Sequence, residues 1–184
     1  MRRAVFLDRD GTLLEEANYL SELRGLVFFP YTVDAVRLLN QSGFAVVVVT
    51  NQGGIARGIV KEAFIAEAHA FIDEKLAQGG ARIDAYYYCP HHPEGAIAAF
   101  SNDCECRKPK PGQLRQAAAD LDLDLPRSFV VGDRWTDVDA GEAVGARGVL
   151  VRTGHGRESE RQSRPSAVVA DNLIEAVAWI LRQP

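Results

Sequence analysis

The chain has 184 residues, of which 47% are hydrophobic and 25% are charged, a composition typical of soluble globular proteins. Its formal net charge of −4 argues against nucleic acid as a partner, so an anionic ligand has to be met by a local basic cluster. No apolar run approaches the roughly 20 residues that span a bilayer, and none near the N-terminus is long enough for a signal peptide. We therefore expect one cytoplasmic, monomeric domain over residues 1–184, with no membrane partner.

The first predicted strand, 4–7, runs directly into a turn that carries two aspartates. Four consecutive apolar residues are typical of a strand buried on both faces in a parallel sheet. Asp8 and Asp10 follow, and alternate residues of an extended chain point the same way, so both carboxylates can face one site. Such a pair needs a cation or a shared proton, and Mg²⁺ fits because it takes oxygen ligands. The alternative is a solvated turn that happens to hold two acids.

The rest of the chain alternates predicted helices with predicted strands. The helices are predicted at 32–42, 61–78, 112–123, 136–144 and 172–182. The remaining strands are predicted at 44–49, 83–88, 128–131 and 148–151. Strands that alternate with helices imply right-handed crossovers and a Rossmann-like parallel sheet, the α/β class with helices on both faces. The polar stretch 154–166 is expected to be mobile, and the connection 13–31 is too short for a cap domain.

Four of the five predicted strands end in a chemically reactive side chain: Asp8, Thr50, Cys89 or Asp133. The carboxyl ends of parallel strands share one edge, so we expect one site there. The hydroxyl of Thr50 and the adjacent backbone amides can hold phosphate oxygens, although the residue can also serve only to turn the chain. Asp133 is a candidate metal ligand, and Asp137 either supports it or caps the following helix.

A short basic stretch offers the positive charge that an anionic substrate needs. Arg107 and Lys108 are followed by Pro109, which restricts the backbone around them. Arginine presents a planar fork to phosphate, and lysine presents a compact point charge. Taken alone, the stretch is more typical of a solvated basic loop.

A Cys/His pattern in the loop 89–109 predicts a structural zinc site. Three thiols and an imidazole form a tetrahedral Cys₃His set, and a fully protein-filled set is structural rather than catalytic. The predicted ligands are Cys89, His91, Cys104 and Cys106. His92 is the alternative to His91, and three free thiols are the alternative to a metal site. The loop leads directly into Arg107 and Lys108, so the metal would fix where those two cations point.

Taken together, four features of the chain resemble the haloacid dehalogenase (HAD) superfamily of phosphotransferases. In order, they are the Asp-x-Asp-Gly-Thr turn, the strand-end threonine, the lysine and the Gly-Asp-x₃-Asp segment. The resemblance implies that Asp8 is a nucleophile that forms an aspartyl-phosphate. It implies that Asp10 protonates the leaving oxygen and then activates water. It also implies that Thr50 and Lys108 bind the phosphoryl group, and that Mg²⁺ is held by Asp8, Asp133 and the backbone carbonyl of Asp10.

Within that superfamily, the stretches 8–12, 50–58 and 89–109 resemble the D-glycero-D-manno-heptose-1,7-bisphosphate 7-phosphatase family. This implies hydrolysis of a sugar bisphosphate during the biosynthesis of nucleotide-activated heptose for lipopolysaccharide or S-layer glycans. The substrate-binding residues implied by the resemblance are Glu16, Ala17, Asn18, Tyr19, Thr50, Asn51, Gln52, Gly53, Arg57, Arg107, Lys108 and Arg134. Position 53 is glycine where many members carry serine, so a side-chain contact is absent there.

Two other functions remain open at this point. The histidinol-phosphate phosphatase family shares the zinc loop, and acidic residues such as Glu15 and Glu16 would suit its aminoalcohol substrate. The Gly-Ile-Ala-Arg-Gly segment 54–58 favours the heptose substrate, without indicating the α or the β anomer. A non-catalytic, zinc-stabilised binding domain is the third candidate, against which the complete acid pair and Lys108 argue. His69 and His155 have no visible partner in the sequence.

Overall fold

The computed structural model describes residues 1–162, 164 and 167–184, which form a six-stranded parallel sheet of order β3-β2-β1-β4-β5-β6. The strands are β1 Ala4–Leu7, β2 Ala45–Asn51, β3 Ala85–Cys89, β4 Phe129–Gly132, β5 Arg147–Val151 and β6 Val168–Ala170. The helices are α1 Thr32–Gln41, α2 Ala63–Gln78, α3 Gly112–Leu121, α4 Trp135–Glu142, α5 Gly156–Glu160 and α6 Leu173–Ile180. None of these helices combines the length and apolarity that crossing a membrane requires.

Helices cover both faces of the sheet, because the strands are apolar on both sides. In β1, Val5 and Leu7 belong to a core shared with α1, α2 and α6. The alternate residues Ala4 and Phe6 belong to a second core shared with α3 and α4. All four side chains are fully buried. The predicted α/β class with two helical layers is confirmed.

The order in which strands are added to the sheet reverses at β1, and this reversal creates a crevice at the carboxyl edge of the sheet. β1 pairs with β2 on one side and with β4 on the other. The amide of Asp8 donates to the carbonyl of Val131 at 2.9 Å, which fixes the end of β1 against β4. Ligands of open α/β sheets bind at such a switch point. The connection 13–31 contains one short 3₁₀ turn at Leu23–Gly25 and no cap domain, as predicted.

The structure corrects the prediction for the C-terminal third. The segment 154–166, expected to be mobile, contains α5, which is held by Arg152 donating to Glu160 and by the Trp135 indole donating to the carbonyl of Ser159. Residues 163, 165 and 166 lie outside the described residues. The sequence also gave no indication of β6, which pairs with β5 and adds a sixth strand.

Strand β2 extends further than predicted. It includes Thr50 and Asn51, which were expected to follow the strand. Their positions are therefore fixed by the pairing of β2 with β3, where Thr50 is opposite Tyr88 and Asn51 is opposite Cys89.

Two neighbouring leucines of α1 test the core. Leu39 is fully buried, whereas Leu38 is 39% exposed. Replacing Leu39 with Ala should lower the free energy of unfolding by about 2–5 kcal/mol, because it leaves a cavity. Replacing Leu38 with Ala should change it by no more than about 1 kcal/mol. Urea unfolding of the two variants checks this, and equal losses would contradict the described packing.

Candidate active site

A buried lysine lies at the centre of the crevice. Lys108 Nζ lies 2.7 Å from Asp8 Oδ1, 2.6 Å from Asp137 Oδ1 and 2.7 Å from the carbonyl oxygen of Val49. Only 3% of the residue is exposed. An ammonium has three donors, and these partners use all three. Burial by itself would lower the pKa of Lys108, but the carboxylates of Asp137 and Asp8 raise it above its ordinary value, so the lysine is cationic at neutral pH.

Two carboxylates contact this ammonium, and a third, that of Asp133, lies beside them. Asp8, Asp133 and Asp137 each present an oxygen within 4.8 Å of the other two. When all three acids are ionised, one ammonium leaves two negative charges unbalanced, which is the charge that a divalent cation neutralises. Carboxylate oxygens are also the ligands that Mg²⁺ prefers, so this donor set fits the metal. Burial raises the pKa of Asp8 well above its ordinary value and that of Asp133 to about 7, against the lowering effect of the His155 amide on Asp133.

Asp137 caps the following helix, one of the two roles that the sequence left open for it, and it also contacts Lys108. One oxygen contacts Lys108, and the other accepts from the backbone amide of Arg134 at 3.0 Å, which caps the start of α4. The residue is 2% exposed. The cap therefore holds the carboxylate in position for the ammonium. Asp137 Oδ2 would also collide with any Cβ at Gly132, so a glycine is needed at the end of β4.

Asp10 lies beside this cluster and has its own partners. The guanidinium of Arg9 donates to both oxygens of Asp10, and Gln52 Nε2 donates to its Oδ2 at 2.9 Å. The same Gln52 nitrogen donates to the hydroxyl of Thr50 at 3.0 Å. The side chain of Gln52, expected to contact substrate, is thus engaged by two neighbouring site residues.

Gln113 on α3 is a buried residue of the site that the sequence did not indicate. Its Oε1 accepts from the amide of Thr50 at 3.0 Å, and its Nε2 donates to the carbonyl of Cys106 at 2.8 Å. The amide of Gln52 donates to the carbonyl of Cys89. Two of the amides expected to be free for phosphate oxygens are therefore already occupied.

A cavity of about 360 Å³ opens above these side chains. Its lining comprises Asp8, Arg9, Asp10, Glu16, Asn18, Tyr19, Leu20, Thr50, Asn51, Gln52, Gly53, Gly54, His92, Arg107, Lys108, Asp133, Arg134, Thr136, Asp137 and His155. Of the expected substrate residues, Ala17 and Arg57 are not among them. Arg57 instead contacts His92, its Nη2 lying 3.3 Å from the ring Nε2.

His155 lines the cavity, although it had no visible partner in the sequence. Its ring Nε2 lies 3.6 Å from Glu16 Oε2, and its backbone amide donates to Asp133 Oδ2 at 2.7 Å. The loop after β5 therefore contributes to the site, and the sequence contained no periodic signal that could have placed it there.

The Cys/His set converges in the loop that follows β3. The three Sγ atoms of Cys89, Cys104 and Cys106 and the Nδ1 atom of His91 all lie within 4.8 Å of one another. Neighbouring pairs are separated by 3.3 Å to 3.8 Å. Ligands bound tetrahedrally to one zinc ion lie about 3.5–3.8 Å apart, so the donor set fits this metal. His92, the alternative ligand, lies at the cavity instead.

Hydrogen bonds join this loop to the cavity. Arg107 Nη1 donates to the carbonyl oxygen of His91 at 3.0 Å. The side chain of Asn51 donates to the carbonyl of Lys108 at 3.0 Å and accepts from its amide at 3.1 Å. The position of both cations is therefore set by the end of β2 and by the Cys/His loop.

Comparison with known proteins gives a consistent family assignment. The HAD-hydrolase-like family model matches residues 105–176. The D-glycero-beta-D-manno-heptose-1,7-bisphosphate 7-phosphatase of Yersinia pestis is 46% identical over 153 residues, covering 82% of this chain and 81% of that protein. The enzyme of the same name from Escherichia coli K12 is 42% identical over 180 residues, covering 97% of this chain and 87% of that protein.

A solved structure extends this likeness to three dimensions. The crystal structure of D,D-heptose 1,7-bisphosphate phosphatase from B. bronchiseptica, complexed with magnesium and phosphate, superposes with a TM-score of 0.89. It is 31% identical, and the match covers 99% of both chains.

The raised pKa of Asp133 predicts how pH affects the metal-free protein. An acid whose pKa is higher in the folded state contributes stability that is present below the ordinary aspartate value of 3.8 and is lost as pH rises through about 7. The free energy of unfolding of the wild type, measured in urea with a chelator, should therefore fall relative to that of Asp133→Asn between about pH 4 and pH 8, on the order of a few kcal/mol. Parallel pH profiles would contradict this.

Proposed function

This chain belongs to the D-glycero-D-manno-heptose-1,7-bisphosphate 7-phosphatase family of HAD-like hydrolases, and we propose that it removes the 7-phosphate of the β anomer of the heptose bisphosphate. The names of the curated relatives support this anomer and this substrate over histidinol phosphate. The observation that carries the proposal is the 2.7 Å contact of Lys108 with Asp8. An oxygen of Asp133 lies within 4.8 Å of one of Asp8, and the cavity above them is large enough for a sugar phosphate.

In the proposed reaction, Asp8 is the nucleophile. Lys108 engages Oδ1 of Asp8, so Oδ2 is the oxygen that attacks phosphorus. The bond between phosphorus and the sugar oxygen breaks, and Asp10 gives a proton to that oxygen. In the second step a water molecule attacks phosphorus and gives a proton to Asp10, the bond between phosphorus and the Asp8 oxygen breaks, and inorganic phosphate leaves. Asp8 is then a carboxylate again and Asp10 is protonated again.

Positive charge on the chain stabilises the transferring group. Lys108 is buried, so its attraction for phosphoryl oxygens is little screened by water. Mg²⁺, bound by Asp8, Asp133 and the backbone carbonyl of Asp10, would offset the charge that gathers on those oxygens. Thr50, whose hydroxyl accepts from Gln52, presents its own O–H to the same group.

The rim of the cavity suits a second phosphate. Arg107 and Arg134 both line it, and Arg57 contacts the lining residue His92. A sugar bisphosphate leaves one phosphate free when the other is at Asp8, and guanidinium groups are well suited to bind it. Glu16, Asn18 and the other expected contacts are then available for the sugar hydroxyls.

We also propose that the Cys/His set binds one structural Zn²⁺ ion, through Cys89, His91, Cys104 and Cys106. The support is the tetrahedral spacing of the four donor atoms. The metal would fix the carbonyl of His91, and through it the side chain of Arg107.

Phosphate release from a panel of esters tests the function. The wild type should hydrolyse the β heptose bisphosphate with a higher kcat/KM than the α anomer or histidinol phosphate. Asp8→Asn should lower kcat by at least about 10³-fold, because it removes the nucleophile. Asp34→Asn is the matched control, since Asp34 lies on the exposed surface of α1 and should leave kcat unchanged.

The panel distinguishes the alternatives. A higher kcat/KM for histidinol phosphate would replace the proposed substrate but keep the phosphatase. Full activity of Asp8→Asn would exclude the proposed mechanism. A wild type that is inactive on every ester would leave the non-catalytic binding domain as the remaining candidate function.

Loss of the zinc should weaken substrate binding as well as stability. Cys104→Ser, once freed of metal, should raise KM by about tenfold, because Arg107 loses its fixed position. Its melting temperature should also fall. Elemental analysis gives the zinc content, and Asn102→Ser, an exposed position of the same loop, is the control. Unchanged KM in a folded, zinc-free variant would count against the coupling.

A further inference from the structure

Arg9 holds the carboxylate of Asp10 in a two-pronged grip. Arg9 Nε lies 3.1 Å from both Asp10 oxygens, and Nη2 lies 2.9 Å from Oδ2. A fork of this kind fixes the plane of a carboxylate as well as its distance. The two residues are adjacent in the chain, so the grip needs no distant segment to form.

Burial makes this contact hard to break. Arg9 is 1% exposed, and across the described parts of the chain Asp10 is the only carboxylate in ion-pair contact with it. Its Nη1 atom is buried without a hydrogen-bond partner among those residues. His69 supplies no competing charge, because burial and the Arg9 cation lower its pKa to about 4. Releasing Asp10 would leave a buried arginine without its counter-charge, which is strongly unfavourable.

The two oxygens of Asp10 are held unequally. Oδ2 accepts from Arg9 Nε, from Arg9 Nη2 and, at 2.9 Å, from Gln52 Nε2. Among the described residues, Oδ1 accepts only from Nε, which it shares with Oδ2. Each carboxylate oxygen has two lone pairs, so Oδ1 keeps capacity for a proton while Oδ2 does not.

We infer that Arg9 is the positioning residue for the general acid, and that it leaves Oδ1 of Asp10 as the atom that carries the proton. The inference rests on the proposed function, in which Asp10 serves the phosphoryl transfer. In the first step the proton on Oδ1 passes to the sugar oxygen as the ester bond breaks and the bond from Asp8 to phosphorus forms. In the second step the attacking water returns a proton to Oδ1. Arg9 acts on the reaction through its hydrogen bonds to Asp10 and neither gives nor takes the transferred proton.

The test compares two leaving groups. A sugar alkoxide needs a proton as it leaves, whereas p-nitrophenolate is stable without one. The value of kcat/KM reports the steps up to departure of the leaving group, so the later hydrolysis step does not enter. The measured quantity is the ratio of kcat/KM for the sugar bisphosphate to kcat/KM for p-nitrophenyl phosphate.

Arg9→Lys keeps the buried charge but removes the fork. We expect it to lower this ratio by about 10–100-fold, within the range that positioned acid catalysis contributes. Gln52→Met removes one donor to Oδ2 without touching the buried charge, and it should lower the ratio by about three- to tenfold. Arg127→Lys and Gln78→Met, both exposed and outside the cavity, are the matched controls and should leave the ratio unchanged.

A merely structural role for Arg9 would lower both kcat/KM values alike. An unchanged ratio in folded Arg9→Lys would therefore overturn the inference. If that variant does not fold, Gln52→Met decides, and an unchanged ratio there overturns it equally.

The outcome is separable from that of the proposed function. A wild type that cleaves other alkyl phosphates but not the heptose bisphosphate refutes the proposed substrate, and the ratio is then measured with the best alkyl phosphate. A wild type that cleaves no phosphate ester refutes the proposed function and this inference together.

Discussion

The ammonium of Lys108 is the point on which the site depends. It joins the end of β1 through Asp8, the end of β2 through the carbonyl of Val49, and the first turn of α4 through Asp137. A buried cation is strongly unfavourable without partners, and these three satisfy all its donors. The surplus of acidic groups around it makes the same spot receptive to a divalent metal. Structural order and metal binding therefore arise from one arrangement of charges.

The sequence was most informative where a local hydrophobic pattern also determines where a residue lies in the fold. Uninterrupted apolar strands that end in Asp8 or Thr50 predicted the sheet and its reactive edge, because a buried strand leaves its first polar residue at the carboxyl end. The spacing of Cys104 and Cys106 likewise indicated a metal set. The grip of Arg9 on Asp10 is a matter of side-chain orientation between adjacent residues, which no periodicity reveals. The bridge made by Gln113 depends on how distant elements pack, so the sequence pattern did not show it either.

The C-terminal third shows the same limit for secondary structure. Strand β6 has only three residues, too few for an alternating pattern to be distinguished from a loop. Helix α5 is polar, and it is held by contacts of Arg152 and Trp135 that no local propensity encodes. Its approach to the site brings His155 beside Glu16, which the sequence could not anticipate.

Glycine backbone forms the wall on one side of Asp133. Gly11 and Gly154 both have positive φ, and a Cβ on either would lie 2.2 Å from Asp133 Oδ2. A surface made of main chain has no rotamers to exchange, so the carboxylate of Asp133 packs on this side against a contact that cannot be adjusted by side-chain rotation. The cavity itself is lined by side chains such as Tyr19 and His92, and substitution of these side chains is the route by which it can take differently shaped substrates. Among enzymes of this kind with different substrates, we therefore expect residues at the positions of Tyr19 and His92 to differ and the glycines at positions 11 and 154 to be kept.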